Sequence, residues 1–317
     1  MDATPAGKAS VCIRRRNLMR RRDFLRSIFA AGAAVPSVHM LGKAGGEVIP
    51  DAPPPPLDRL TGLPTGYYEL DDLRNGLQPG ELVVIAGRPG IGKTSLACNI
   101  ASHIARIEMR RVLYFALKHG EPPTSIARYM VAADAQVRHD KLCLGKLTPE
   151  ELQRSRICAR DLAAAPLKIT GACSVEDITG QIRGAEKVGL VIVDGYGELA
   201  GWRGNPAAWR ACAVLMDDLR KLSRAAACPT ILLAKTSRDA DERQDHRPRF
   251  YDLPAVAYEM ADCVMVLHRD DYYESEGRRK PRETCEAHIL KHRLGPTGVV
   301  RLTFIKGCGR FENCCGT

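Results

Sequence analysis

The sequence has none of the features that mark a membrane-spanning or disulfide-stapled protein. It contains no uninterrupted run of the roughly 18 apolar residues that a membrane helix needs, and the longest candidate is residues 28–38. Its twelve cysteines include no CxxC pair, the spacing that many zinc and redox sites use, and no internal repeat is visible. We therefore expect no membrane partner, and cysteines that are mostly small buried side chains in a reducing compartment.

Length and composition indicate a folded chain with a substantial core. The 317 residues are 45% apolar and 26% charged, which suits one large or two ordinary domains and excludes a disordered or collagen-like chain. The net charge of +10 is unevenly distributed, because residues 1–50 hold nine basic and three acidic side chains. The rest of the chain is modestly basic, which is compatible with a polyanionic partner without requiring one.

Residues 1–50 form a basic leader. Its arginine pair, Arg21 and Arg22, precedes a short apolar segment of small residues, a pattern similar to a twin-arginine export signal. The same pattern fits a mis-assigned start codon, a fused leader or a basic tail that binds a phosphate backbone. Residues 51–60 form a proline-rich linker, because proline fixes φ and cannot donate to a strand. We place the folded domain at residues 61–317.

The domain alternates between predicted strands and helices. Apolar runs predict strands at 81–86, 111–117, 189–194, 230–235, 263–268, 286–291 and 299–305. Apolar periodicity and a capping box at Thr148 and Glu151 predict helices at 94–107, 149–164, from Ser174 onward, and at 206–227. Buried strands separated by helices indicate an α/β fold, a mostly parallel twisted sheet with helices on both faces, ending in a hairpin at 291–299.

A phosphate-binding motif lies between the first predicted strand and helix. Residues 87–94, GRPGIGKT, match GxxxxGKS/T in the strand–turn–helix context that the motif requires. Glycines let backbone N–H groups face phosphate oxygens, and the helix adds its positive end. The motif predicts an ATP and Mg²⁺ site whose nucleotide-binding residues include Gly87, Arg88, Pro89, Gly90, Gly92, Lys93 and Thr94.

Two residues are expected to hold the metal ion. Thr94 supplies a hydroxyl, and Asp194, which ends a buried strand, supplies the carboxylate that orients the Mg²⁺ shell. Lys93 and Asp194 are therefore candidate catalytic residues.

Because an exported enzyme would meet no ATP, this site conflicts with the export-like leader, and we expect a cytoplasmic protein.

The order of motifs from Leu63 to Asn313 resembles the carboxy-terminal, RecA-like motor domain of DnaB-type replicative DNA helicases. The resemblance is carried by residues 63–94, by DERQDHRP at 241–248, HRDDYY at 268–273, KHRLGPTG at 291–298 and RFEN at 310–313. It implies a RecA-like P-loop NTPase that works as a hexameric ring on single-stranded DNA, with a possible replication partner. It also implies that Lys291 and Arg293 reach the γ-phosphate of a neighbouring subunit, and that Arg310 flanks the nucleotide base. A guanidinium supplied in trans neutralises charge on the transferred phosphoryl group.

The chain departs from the family pattern at two catalytic positions. Lys118 stands where the family has a glutamate that polarises the attacking water, and Lys235 stands where it has a glutamine that senses the γ-phosphate. A protonated lysine cannot accept a proton. Glu198, just after Asp194, is a candidate substitute base or a solvated loop carboxylate. ATP hydrolysis is therefore an open question.

Other departures concern DNA contact and assembly. The segment 252–259 is shorter than the family's DNA-contacting loop and lacks its basic and glycine residues, although Arg243, Arg247 and Arg249 precede it. We also expect the family's amino-terminal domain to be absent and its helical linker to be replaced by the proline run.

Two functions follow as hypotheses: an ATP-driven DNA translocase or helicase, or a hydrolysis-deficient, nucleotide-binding regulatory relative that binds a helicase or DNA without unwinding.

Overall fold

The computed structural model describes the domain and leaves out several short segments. The described residues are 60–117, 122–171, 175–195, 206–253, 255–274 and 282–314. The leader, most of the linker, Lys118 and Glu198 lie outside them, so the predictions made there stay predictions. Within these ranges, no helix combines the length and apolar character that crossing a membrane requires.

The described residues form one nine-stranded sheet. Its strands are β1 (Leu82–Gly87), β2 (Arg111–Ala116), β3 (Leu167–Thr170), β4 (Val188–Asp194), β5 (Thr230–Lys235), β6 (Cys263–His268), β7 (Arg282–His292), β8 (Gly298–Ile305) and β9 (Arg310–Asn313). The spatial order is β3-β2-β4-β5-β1-β6-β7-β8-β9. The first six strands in this order are parallel, and the last three add antiparallel pairings. The mostly parallel sheet and the β7–β8 hairpin are as predicted.

Helices cover both faces of the sheet. They are α1 (Tyr68–Arg74), α2 (Lys93–Arg106), α3 (Pro123–Asp134), α4 (His139–Leu144), α5 (Pro149–Ala164), α6 (Val175–Arg183), α7 (Pro206–Ala225) and α8 (Ala255–Met260). Alternate residues of each central strand enter opposite cores, as Ile85 and Val84 of β1 do. One core contains side chains from α2, α3 and α5, and the other contains side chains from α6, α7 and α8. The predicted α/β fold is therefore confirmed.

The predicted elements agree with the structure within one or two residues, except that β7 begins four residues before the predicted 286. The capping box is confirmed: Thr148 Oγ1 accepts from the Glu151 N–H, and the Glu151 carboxylate accepts from the Thr148 N–H. The short strands β3 and β9 and the helices α1, α3, α4 and α8 were not predicted. Most of these have four to seven residues, too few for a periodic pattern to show, and the alanines of α3 blur its period.

A buried ion pair fixes the entry into the sheet. Arg74, the last residue of α1, donates to Glu81 at 2.8 Å, and both side chains are 1% exposed. The second Glu81 oxygen accepts from the Gln78 N–H at 3.1 Å. Glu81 directly precedes β1, so this pair positions the strand that leads into the phosphate-binding turn.

Replacing Arg74 with methionine should lower the free energy of unfolding by about 3–5 kcal/mol, because the Glu81 carboxylate stays buried without its partner. The double variant Arg74→Met, Glu81→Met should regain most of this stability, since it leaves no uncompensated charge. Denaturant unfolding of the full chain measures both. Wild-type stability in the single variant would contradict the role given to the pair.

Candidate functional site

The turn between β1 and α2 has the backbone shape that binds phosphate. Gly90 and Gly92 have φ values of 78° and 120°, a region that side chains disfavour. A Cβ on Gly92 would also lie 3.0 Å from the ring of Phe311. Because α2 starts at Lys93, the positive end of its dipole faces the turn.

The backbone of this turn holds the Lys93 side chain in place. Its ammonium donates to the carbonyl oxygens of Gly87 and Arg88, both at 2.8 Å. The positive charge is therefore at the mouth of the turn, beside the amino end of α2. A phosphate entering there meets the ammonium and the helix terminus together.

Asp194 and Thr94 meet although they are 100 residues apart in the sequence. Asp194 is the buried last residue of β4, and its Oδ2 accepts from the Thr94 hydroxyl at 2.9 Å. A hydroxyl and a carboxylate are hard oxygen ligands of the kind that Mg²⁺ takes alongside water and phosphate oxygens. The two residues therefore suit the predicted metal ion.

Tyr114 is a residue of this site that the sequence analysis missed. From β2, its hydroxyl donates to the same Asp194 Oδ2 at 3.1 Å. Burial, and then the nearby carboxylate, raise the pKa of Tyr114 well above its ordinary value, so it stays a donor. The only sequence signal is a hydroxyl within an apolar strand, and the partner becomes apparent only when β2 is paired with β4.

Lys235 lies at the same edge of the sheet. It ends β5 and is paired in register with Gly87 of β1. It lines a cavity of about 400 Å³ whose other lining residues include Gly90, Lys93, Thr94, Tyr129, Asp194 and Phe304. The structure thus brings two lysines, a threonine and an aspartate around one cavity.

The Arg88 side chain is directed away from this cavity. Its guanidinium donates to the carbonyl oxygens of Thr236 and Ser237 at 3.2 and 3.3 Å and pairs with Asp241 at 2.8 Å. Arg88 therefore ties the phosphate-binding turn to the segment that follows β5. In this position the backbone of Arg88, and not its side chain, is the part that can contact a phosphate.

Lys291 and Arg293 lie at the opposite edge of the sheet from Lys93. In β7, His292 pairs with Cys263, which is itself level with Val83 at the start of β1. The turn begins at Gly87, four residues further along β1, which is about 13 Å. These two residues therefore do not meet the phosphate-binding turn of their own chain.

Each of the two residues is anchored near the start of β6. The Lys291 ammonium donates to the carbonyl oxygens of Tyr258 and Glu259 at 2.8 and 2.9 Å. Arg293 Nε donates to Asp262 Oδ1 at 2.6 Å, and the Arg293 side chain is 53% exposed. The expectation that Lys291 and Arg293 reach the γ-phosphate of a neighbouring subunit stays a prediction.

Arg310 is next to α2 but does not line the cavity around Lys93. It pairs with Glu312 at 3.0 Å and lines a second cavity, of about 620 Å³, with residues that include Asn99, Ser102 and Asp134. The neighbouring Phe311 is buried beside Gly92. The prediction that Arg310 flanks a nucleotide base stays a prediction.

The described residues of segment 252–259, which corresponds to the family's DNA-contacting loop, are packed against the domain. Asp252 is buried and accepts from Arg243 at 2.9 Å, and Val256 of α8 enters the second core. Arg247 pairs with Glu286, and Arg249 donates to the Tyr251 hydroxyl at 2.9 Å. The three upstream arginines thus have contacts within the chain.

Comparison with known proteins identifies relatives of this domain. The family model for the DnaB-like helicase C-terminal domain matches residues 62–313. The chain is 33% identical over 263 residues to the replicative DNA helicase DnaB of Geobacillus stearothermophilus, covering 80% of this chain and 57% of that protein. It is 32% identical over 263 residues to the replicative DNA helicase DnaC of Bacillus subtilis (strain 168), with the same coverages. The chain thus spans little more than half the length of these relatives.

Solved structures give the same picture. A DnaB-like replicative helicase, solved in a study of its interactions with primase, has a TM-score of 0.72 and 27% identity, over 81% of this chain and 63% of that chain. A solved ATPase domain has the same score and identity, over 81% of this chain and 93% of its own.

The Tyr114→Phe variant should need about 10-fold more Mg²⁺ for half-maximal nucleotide binding, because outer partners of metal ligands contribute 10- to 100-fold to metal affinity. A Mg²⁺ titration with a fluorescent ATP analogue measures this. Tyr68→Phe, on the partly buried face of α1, is the matched control. Equal Mg²⁺ requirements in the two variants would show that the Tyr114 hydroxyl does not support the metal site.

Proposed function

Because the chain belongs to the DnaB-like helicase C-terminal domain family, we propose that it is an ATP-driven motor that translocates along single-stranded DNA or unwinds DNA. The single observation that carries this proposal is the group of Lys93, Thr94 and Asp194 at one edge of the sheet. This group suits a nucleoside triphosphate with Mg²⁺, and the relatives named above are replicative DNA helicases.

The residues divide the work at the phosphates. Lys93 neutralises charge on the β- and γ-phosphates, and the amino end of α2 adds its dipole. Thr94 and Asp194 would hold Mg²⁺, which would supply positive charge to neutralise the phosphates. The Tyr114 hydroxyl keeps the Asp194 carboxylate in place through its hydrogen bond.

We further propose that the motor works as a hexameric ring. Arg293 and Lys291 are placed at the far edge of the sheet, and Arg293 is half-exposed while Asp262 holds its Nε. If a neighbouring subunit packed its phosphate-binding turn against this edge, Arg293 and Lys291 would complete the neighbour's site, as arginine fingers do in trans. A replication protein is the partner we propose, because one structural neighbour was studied with primase. A cytoplasmic location follows from the need for ATP.

The second candidate is a relative that binds nucleotide without hydrolysing it. The observation that favours it is Lys235 at the edge of the phosphate cavity, where it adds a cation and no proton acceptor. Lys118 is the other substitution that removes an acceptor from the family pattern.

Steady-state ATP hydrolysis by the full chain, with and without single-stranded DNA, tests the main proposal. The mass of the chain in solution with ATP is measured in parallel. We expect DNA-stimulated turnover by a hexamer. ATP binding without turnover would overturn the motor and favour the second candidate, while absence of ATP binding would overturn both.

The Lys118→Glu variant should raise ATP turnover by about 10²-fold or more, because a positioned general base contributes 10²- to 10⁴-fold. Steady-state hydrolysis by the full chain measures the change. The same charge reversal at the exposed Lys146, Lys146→Glu, should leave the rate unchanged. A flat rate in Lys118→Glu would mean that Lys118 is not what limits hydrolysis.

A further inference from the structure

The cavity around Lys93 has two chemically different kinds of lining. One is polar: Lys93, Thr94 and Asp194 line the cavity, and these groups suit phosphates and their metal ion. The other is aromatic: the rings of Tyr129 and Phe304 line the same cavity of about 400 Å³. A nucleotide is divided in the same way, because its charged phosphate chain is joined to a flat aromatic base.

The Tyr129 ring is fixed by a stacked partner. Tyr129 is on α3, and its ring stacks on the ring of His139, the first residue of α4, with centroids 4.3 Å apart and planes 9° apart. The N–H of His139 donates to the carbonyl oxygen of Gly307 at 2.9 Å. The stacked pair is therefore attached to the turn that joins β8 and β9.

This turn connects Tyr129 to a different wall of the cavity from the one that holds Asp194. A Cβ on Gly309, in the β8–β9 turn, would lie 3.1 Å from the hydroxyl oxygen of Ser95. The preceding residue, Thr94, donates to Asp194. Because consecutive side chains leave a helix about 100° apart, Ser95 and Thr94 face different walls. The aromatic wall thus lies beside the polar one, at the start of α2.

Tyr129 is better suited than Phe304 to contact a base. The Phe304 ring is 6% exposed and packs against Phe311, with centroids 4.6 Å apart, while the Arg269 guanidinium lies 4.5 Å from its centroid. Tyr129 is only partly buried. Arg310, the residue that the resemblance places beside the base, lines a different cavity.

We propose that Tyr129 holds the nucleobase by aromatic packing and makes the site prefer purine nucleoside triphosphates to pyrimidine ones. This inference rests on the proposed nucleotide binding. Every base has a π-face, so contact with a ring does not distinguish adenine from guanine by their edges. The two fused rings of a purine bury more surface against Tyr129 than the single ring of a pyrimidine.

Calorimetry on the full chain with Mg²⁺ tests the base contact with two probes, a non-hydrolysable ATP analogue and inorganic tripolyphosphate, which has the phosphates without the base. The Tyr129→Leu variant should bind the ATP analogue about 10-fold more weakly, because stacking of a base on an aromatic ring contributes enough for this factor. Its affinity for tripolyphosphate should be unchanged. Tyr129→Phe keeps the ring and should retain the wild-type affinity for both probes.

The same method tests the purine preference. The wild-type chain should bind non-hydrolysable analogues of ATP and GTP with similar affinity and a CTP analogue more weakly. Tyr129→Leu should lose most of this difference. Equal affinity of the wild-type chain for all three analogues would overturn the purine preference.

A matched variant controls for the loss of a tyrosine. Tyr68→Leu changes another partly buried tyrosine, on α1, and should alter neither affinity. Unchanged tripolyphosphate binding by Tyr129→Leu also shows that this variant is folded.

The outcomes separate this inference from the proposed function. A selective loss of the ATP analogue in Tyr129→Leu supports both. If Tyr129→Leu weakens both probes equally, or neither, the base contact is overturned while nucleotide binding stands. If Arg310→Met loses the ATP analogue selectively and Tyr129→Leu does not, the base contacts Arg310 and the proposal is wrong. If the wild-type chain binds neither probe, the proposed function fails, and this inference fails with it.

Discussion

The functional site depends on one constraint: neighbouring parallel strands end at the same edge of a sheet. Because β4, β5 and β1 are adjacent and parallel, their last residues Asp194, Lys235 and Gly87 are brought together from distant parts of the sequence. The chain then turns at Gly87 into α2, whose amino end faces this edge. The edge thus combines a carboxylate, two lysines and a helix terminus. The strands and the helix that carry these groups position them, and no separate loop is needed.

Strand β1 connects this edge of the sheet, which carries the phosphate-binding turn, to the opposite edge, where β1 begins. The N–H of Leu82, the first residue of β1, donates to Asp262 Oδ2 at 3.0 Å, and the other Asp262 oxygen accepts from Arg293. The far end of β1 is the phosphate-binding turn. The buried strand β1 therefore connects the phosphate-binding turn to the neighbourhood of Arg293, which we propose acts at the site of an adjacent subunit. The buried Arg74–Glu81 pair fixes the start of that strand.

Two lysines stand at positions where the family resemblance implies a glutamate and a glutamine. Lys235 lines the cavity around Lys93, Thr94 and Asp194, and Lys118 stands where the resemblance implies a proton acceptor. Binding a triphosphate and hydrolysing it require different groups. Cations strengthen the attraction for phosphate, while hydrolysis also needs a group that accepts a proton.

The sequence by itself determined what is local. The turn at 87–94, the capping box at Thr148 and the buried strands of the parallel sheet follow from spacing and composition over a few residues, and they were predicted correctly. Tertiary structure decided which distant residues meet. The Tyr114 contact with Asp194, the direction of the Arg88 side chain and the place of Lys235 between two strands depend on strand order and register. Short elements such as β3 and β9 likewise form because neighbouring strands pair with them. Pairing joins residues far apart in the chain, so no local pattern encodes it.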